Sequence, residues 1–300
     1  MAKNSRRKLS FYPIEIVSFY YFGITALFIL LFHPRLSDEW MHLFIRFFNT
    51  MLLVLAAYLS QKSKLIEYLR VFIPLVFLGF FYSETDYFNN LWFTNQDPVI
   101  AGLEQKIFHC QPSLLFQGMF PGPVFRECMY FGYFSYYLMI FAVCFILTRS
   151  SLEMGKRAVF FVVTGFYIFY LFFSIFPVAG PQYYFGRPEY ASDGFSVFSS
   201  LMIFIQEVAE RPTAAFPSSH VAMACIVLIL ASWKSTKLVL ILFPFVVLLF
   251  FSTVYIQAHY LIDVLAGILI FPLVYYISHL LSILFEKTGF KKPEKINLWN

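Results

Sequence analysis

Two histidines and one aspartate stand out in the last third of the chain because each adjoins a long apolar run. His220 ends the stretch FPSSH at 216–220, and His259 and Asp263 belong to AHYLIDVLAG at 258–267. Residues four apart on a helix share a face, so Asp263 can accept a proton from one imidazole nitrogen of His259. The other nitrogen then stays free as a base or nucleophile. A structural His–Asp pair that joins two helices is the alternative interpretation.

Ser218 and Ser219 precede His220, so their hydroxyls and the free N–H groups of the first helical turn face one space. A helix N-terminus attracts anions. This arrangement predicts a phosphate held by backbone amides between two histidines, where one attacks and the other protonates the leaving oxygen. For His220 alone, helix capping or packing is the simpler interpretation.

A metal site is the rival use of the same side chains, because two histidines and one carboxylate form a known ligand set. The spacing lets Asp263 orient His259 and does not exclude direct ligation. We favour a site without a metal or another cofactor.

The composition predicts an all-α polytopic membrane protein. Of the 300 residues, 60% are hydrophobic and only 13% are charged, whereas a soluble domain carries about 25% charged residues. Apolar runs of about 17 to 25 residues recur, long enough for helices that cross a hydrocarbon core of roughly 30 Å. The predicted spans are 14–32, 44–60, 66–83, 129–148, 158–176, 216–233, 238–254 and 258–285.

The distribution of basic residues predicts the orientation. Most of the 22 Lys and Arg fall at the two termini and in the loops of one side, and the positive-inside rule places that side in the cytoplasm. The two longest loops, 84–128 and 177–215, are then external, meaning periplasmic, extracellular or lumenal. His220, His259 and Asp263 share that external level, so three polar residues converge on one membrane surface.

We predict three regions along the chain. Residues 1–65 form a cytoplasmic tail and two accessory spans, residues 66–285 form a six-helix catalytic core, and residues 286–300 form a cytoplasmic tail. The net charge of +5 does not indicate a nucleic-acid partner, because the basic residues fall mostly in short loops. The four cysteines show no metal spacing, but Cys110 and Cys128 share one external loop and can pair in an oxidising compartment.

FPSSH and the H-Y-x-x-D stretch from His259 to Asp263 resemble the second and third signature motifs of the type 2 phosphatidic acid phosphatase superfamily. The resemblance implies that His259 is a nucleophile that forms a phosphohistidine and that Asp263 orients it. It further implies that His220 is the general acid, that Ser218 and Ser219 bind phosphate, and that no metal takes part.

The chain departs from the phosphatase pattern at two positions. The third motif of that family begins Ser-Arg, whereas here Ser252 is followed by Thr253. The lysine expected before the Arg-Pro of the first motif is replaced by Gly180. Arg187 and Arg211 remain as external arginines that can bind phosphate in a bidentate fork, or they are solvated loop residues.

Three further stretches are similar to inositol phosphorylceramide synthases: FPVAGP at 176–181, DPVIAGLEQKIFHCQPS and FGYFSYY at 131–137. Sphingomyelin synthases also carry the third motif without the arginine. This branch implies that a phospholipid head group passes through histidine to a lipid hydroxyl, whereas water is the acceptor in the phosphatase branch. The expected partners are a phospholipid donor and a lipid alcohol or water. A membrane transporter and a non-catalytic lipid-binding protein remain as alternatives of another class.

Overall fold

A computed structural model describes residues 9–187 and 196–286 of the chain. Within these two ranges the protein forms twelve α-helices and no β-strand, which confirms the all-α class. The predicted cytoplasmic tail is 286–300, and its residues 287–300 lie outside the described residues. The helices are α1 Pro13–Phe32, α2 Glu39–Leu59, α3 Lys64–Glu84, α4 Asp97–Phe108, α5 Pro112–Met119, α6 Pro123–Ser150, α7 Leu152–Ile175, α8 Pro181–Tyr184, α9 Val197–Ala209, α10 Ser219–Ser232, α11 Thr236–Tyr255 and α12 Leu261–Glu286.

Seven of the described helices are long and apolar enough to cross a membrane, which confirms a polytopic membrane protein. They are α1, α2, α3, α6, α7, α11 and α12.

The predicted sixth span, 216–233, is shorter in the structure than the sequence predicts. Its helix α10 has only 14 residues, about 21 Å at 1.5 Å per residue. Pro217 has no N–H to donate, and the Ser218 hydroxyl caps the helix by accepting from the Val221 N–H at 3.3 Å. Residues 210–218, which lie directly before α10, are non-helical.

The centre of the bundle is α7, which is buried on nearly every side and contacts α1, α3, α6, α10 and α12. A helix that is hydrophobic all round belongs in such an interior. The short helix α10 is likewise enclosed by α6, α7, α11 and α12. Its N-terminus therefore opens inside the protein rather than on the lipid-facing surface.

Two buried ion pairs fix the first two helices to α3. Arg70 donates from Nε and Nη2 to the two carboxylate oxygens of Glu15, both at 2.6 Å. Arg46 of α2 donates from Nη1 and Nη2 to the two oxygens of Glu84, both at 2.8 Å. Two parallel hydrogen bonds between an arginine and a carboxylate add geometric specificity to the charge attraction. Loss of either partner would leave the other charge buried without a counter-charge.

All four cysteines are free thiols. The pairing considered for Cys110 and Cys128 is therefore not formed in this structure, where Cys110 follows α4 and Cys128 lies in the second turn of α6.

Candidate active site

The imidazoles of His220 and His259 are in direct contact. His220 lies in the first turn of α10, and His259 lies in the turn that joins α11 to α12. The Nδ1 atom of His220 is 3.1 Å from the Nε2 atom of His259, and both rings are buried. Two elements that are distant in sequence thus bring their histidines to one point.

A backbone carbonyl fixes the orientation of His259. Its Nδ1 atom lies 2.7 Å from the carbonyl oxygen of Ala215. A carbonyl only accepts, so Nδ1 carries the proton and the lone pair of Nε2 points at His220. Burial lowers the pKa of His259 to about 4, against smaller opposing effects of the Ala215 carbonyl and Glu210. The ring is therefore neutral at physiological pH.

Asp263 holds the backbone around the site. Its Oδ2 atom is 3.5 Å from Nδ1 of His259, but it accepts from the Tyr260 N–H at 2.8 Å, and its carbonyl accepts from the Ser218 N–H at 2.9 Å. The sequence predicts that His259 and Asp263 lie on one face of a helix, but α12 begins only at Leu261. His259 thus precedes the helix, and the shared helical face does not exist.

The two serines have different surroundings. Ser218 is fully buried; its hydroxyl caps α10 and its N–H is bonded to the Asp263 carbonyl. Ser219 lies beside His220 on the wall of a cavity. Of the two, Ser219 is the one placed to meet a ligand.

The two arginines lie at the rim, and both side chains are exposed. Arg187 donates from Nη2 to the Tyr183 hydroxyl at 3.4 Å. Arg211 donates from Nη1 to the Glu210 carbonyl at 3.0 Å and lines a small polar pocket shared with both histidines. Within the described residues, neither arginine contacts an imidazole.

Sequence reasoning missed three polar residues beside the histidines. The Tyr133 hydroxyl is 3.0 Å from Nε2 of His220 and 3.1 Å from Oε1 of Glu210. Gln182 donates from Nε2 to the other carboxylate oxygen of Glu210 at 3.1 Å. Tyr133 lies in the aromatic stretch at 131–137, but its spacing from the motifs gives no sign that it approaches His220.

Asp97 joins the two backbone segments that frame the site. Its carboxylate accepts from the N–H groups of Ala179 and Gly180 at 2.6 and 2.8 Å and from the Tyr260 hydroxyl at 2.9 Å. Gly180 has φ +99°, a conformation that favours glycine. Asp97 is the first residue of α4, and Gln96 is the N-cap residue of that helix.

An apolar cavity of about 430 Å³ lies between α3, α6, α7 and α9. Its polar end is formed by Glu210, Ser219 and His220. At its outer end, Val76 and Phe141 are 76% and 59% exposed on the lipid-facing side of the bundle. The cavity thus connects the lipid-facing side of the bundle with His220. Most other lining residues are apolar, including Phe72, Leu75, Ile140, Phe166 and Ile205.

The described residues contain no group of three or more His, Cys, Asp or Glu side chains arranged to hold a metal ion. In particular, Nε2 of His259 faces His220, while the Asp263 carboxylate accepts from the Tyr260 N–H. Each of the three side chains thus has a polar contact within the protein, while Oδ1 of Asp263 has no hydrogen-bond partner among the described residues.

A protein-family model described as the PAP2 superfamily matches residues 100–277 of the chain. No curated protein and no solved structure matches the chain significantly. The match starts after α3, so the core boundary at residue 66 stays a prediction. Because the match covers more than half of the 300 residues, the chain belongs to the PAP2 superfamily, as an integral membrane enzyme of the lipid phosphatase or phosphotransferase class.

Proposed function

We propose that this protein transfers a phospholipid head group, inositol phosphate or a similar group, to a lipid hydroxyl through a phosphohistidine on His259. The observation that carries the proposal is the Ala215 carbonyl holding Nδ1 of His259 at 2.7 Å. It leaves the Nε2 lone pair directed into a buried pocket beside a second histidine. A neutral, oriented imidazole of this kind is a competent nucleophile.

In the first half-reaction, Nε2 of His259 attacks the donor phosphorus and forms a P–N bond. The P–O bond to diacylglycerol breaks, and Nδ1 of His220 supplies the proton that the leaving oxygen needs. The two nitrogens are 3.1 Å apart without substrate, so the rings separate when the phosphoryl group enters. In the second half-reaction, the acceptor hydroxyl attacks the phosphorus, the P–N bond breaks and the proton returns to His220.

Phosphate binding falls to Ser219, to the N-terminus of α10 and to the rim arginines Arg187 and Arg211. Helix N-termini and guanidinium groups both favour phosphate oxygens. Ser218 supports this site indirectly, since its hydroxyl and N–H already hold the start of α10 in place.

The apolar cavity favours a lipid acceptor over water. Its volume of about 430 Å³ lies within the range of about 300 to 1,000 Å³ that is usual for small-molecule sites. An alkyl chain in the cavity would bring its hydroxyl toward Glu210 and His220. We place this site on the external face, with both termini cytoplasmic, because of the Lys and Arg distribution. A C-terminal tag accessible to protease from outside intact cells would contradict that orientation.

The test uses purified protein in detergent with labelled phosphatidylinositol, phosphatidylcholine or phosphatidic acid, each with and without ceramide or diacylglycerol. Label in a new acceptor-dependent lipid supports head-group transfer. Release of free phosphate without dependence on the acceptor instead identifies a lipid phosphatase. If no donor is turned over, or if His259→Ala keeps full activity, the enzymatic proposal is wrong.

A further inference from the structure

We propose that Glu210 and Tyr133 form a proton relay that reprotonates His220 while it acts as the acid. This inference rests on the proposed function, because it assigns the source of the proton used in that reaction. Neither residue belongs to the motifs that mark the site in the sequence.

The relay is a continuous chain of hydrogen bonds. It runs from Oε1 of Glu210 to the Tyr133 hydroxyl at 3.1 Å and from that hydroxyl to Nε2 of His220 at 3.0 Å. It continues from Nδ1 of His220 to Nε2 of His259 at 3.1 Å and ends at the Ala215 carbonyl. Every member is buried, so the chain offers a path for a proton that is shielded from bulk solvent.

The direction of each hydrogen bond follows from the carbonyl at the end. Since Nδ1 of His259 carries a proton, its Nε2 accepts, and Nδ1 of His220 must donate to it. If His220 is neutral, its Nε2 accepts from Tyr133, and Glu210 must be protonated to donate to the tyrosine oxygen. If His220 is charged, it donates from Nε2 to Tyr133, and Tyr133 donates to an ionised Glu210. The two states differ only by protons shifted along one chain.

A neutral His220 needs this transfer in order to act as an acid. Its single proton lies on Nδ1, and loss of that proton would leave an imidazolate unless Nε2 gains another. When Nδ1 protonates the departing diacylglycerol oxygen, Nε2 takes the Tyr133 proton and Tyr133 takes the Glu210 proton. When the acceptor hydroxyl later returns a proton to Nδ1, the same steps run backwards and restore the Glu210 carboxylic acid. The cycle consumes no proton.

The surroundings of Glu210 suit a carboxyl group that exchanges a proton. Burial raises its pKa above the usual range, although its hydrogen bonds to Gln182 and Tyr133 oppose this. Gln182 holds Oε2 at 3.1 Å and leaves Oε1 directed at Tyr133. The competing interpretation is that Glu210 only fixes Gln182 and Tyr133 in place.

Leaving-group chemistry separates the two interpretations. Glu210→Gln keeps the size and hydrogen bonds of the side chain but has no transferable proton, and Tyr133→Phe interrupts the chain. Each is assayed with the phospholipid donor that the wild type uses. A second substrate carries the same phosphoryl head group on a dodecyl-substituted nitrophenol, which leaves as a stable anion without a proton. Tyr167→Phe is the matched control, since its buried hydroxyl contacts Ser18 outside the relay.

We expect both relay variants to slow phosphoenzyme formation from the phospholipid by about 100-fold, a typical share for general acid catalysis. Their initial burst of nitrophenolate should stay within about threefold of wild type, and Tyr167→Phe should match wild type on both substrates. Equal losses on the two substrates, or no loss on either, would overturn the relay. A wild-type protein that turns over neither substrate would instead reject the proposed function.

Discussion

The Nδ1 atom of His259 lies 2.7 Å from the carbonyl oxygen of Ala215 and 3.5 Å from Oδ2 of Asp263. The backbone carbonyl is therefore the nearer acceptor and fixes the tautomer of the imidazole. Asp263 holds the Tyr260 and Ser218 backbones around it. The segment that carries Ala215 is itself fixed, because its N–H donates to the Val178 carbonyl at 2.9 Å.

Asp97→Asn should destabilise the protein and reduce turnover. The amide accepts through one oxygen only, so its NH₂ group would face an N–H of Ala179 or Gly180 that now has no acceptor. We expect a loss of about 2 to 4 kcal/mol in the free energy of unfolding, measured as thermal unfolding in detergent. Tyr260→Phe removes only one of the three bonds and should cost about 1 kcal/mol. Equal unfolding temperatures for Asp97→Asn and wild type would contradict this role.

Gly267→Ala should lower kcat by shifting the start of α10. A Cβ atom at Gly267 would lie 2.6 Å from the Ser218 carbonyl oxygen, a contact that cannot form without movement. Overpacking of this kind costs about 1 to 3 kcal/mol, and the movement would displace His220 from His259. Gly102→Ala is the matched control, because its Cβ would meet nothing within 4 Å. Wild-type kcat in Gly267→Ala would show that this close approach is unimportant.

Glu104 should make stability fall as the pH rises. Its Oε1 atom accepts from the Ile262 N–H at 3.1 Å, and burial raises its pKa from 4.5 to about 7. Between these values the folded protein keeps a proton that the unfolded chain releases, so raising the pH disfavours the folded state.

Glu104→Gln removes this titration. The opposite contribution of His259, whose pKa is lowered to about 4, is common to both proteins and cancels in their comparison. When the pH is raised from 5 to 8, the unfolding temperature of wild type should therefore fall relative to that of Glu104→Gln. Parallel changes would show that Glu104 does not hold the proton.

Filling the cavity should impair use of the acceptor. Gly79 lines the cavity, and a Cβ there would meet nothing within 4 Å, so Gly79→Phe places a ring inside without a clash at its base. We expect the KM for the lipid acceptor to rise about tenfold, equivalent to about 1.4 kcal/mol of lost binding. Gly23→Phe has the same open space on α1 but is not on the cavity wall, so it should match wild type. An unchanged acceptor KM in Gly79→Phe would place the acceptor elsewhere.

Apolar run length predicted the membrane helices because the bilayer sets the length of a span. It gave 216–233 the wrong extent, since the cap at Ser218 overrides the apolar pattern that precedes it. The two histidines could be placed at one membrane level from topology alone. The Ala215 carbonyl could not be predicted, because every residue has a backbone carbonyl and only the tertiary fold selects one. The contact between Glu210 and Tyr133 could not be predicted either, because 77 residues of chain separate the two.

The most direct measurement is the chemical trapping of a phosphoenzyme. Wild-type protein is quenched within milliseconds of mixing with labelled donor, and the adduct is located by peptide mass spectrometry under alkaline conditions that preserve phosphohistidine. We predict one labelled residue, His259, with no adduct in His259→Asn and slower formation in His220→Ala. Label on another residue, or turnover that continues in His259→Asn, would contradict the mechanism.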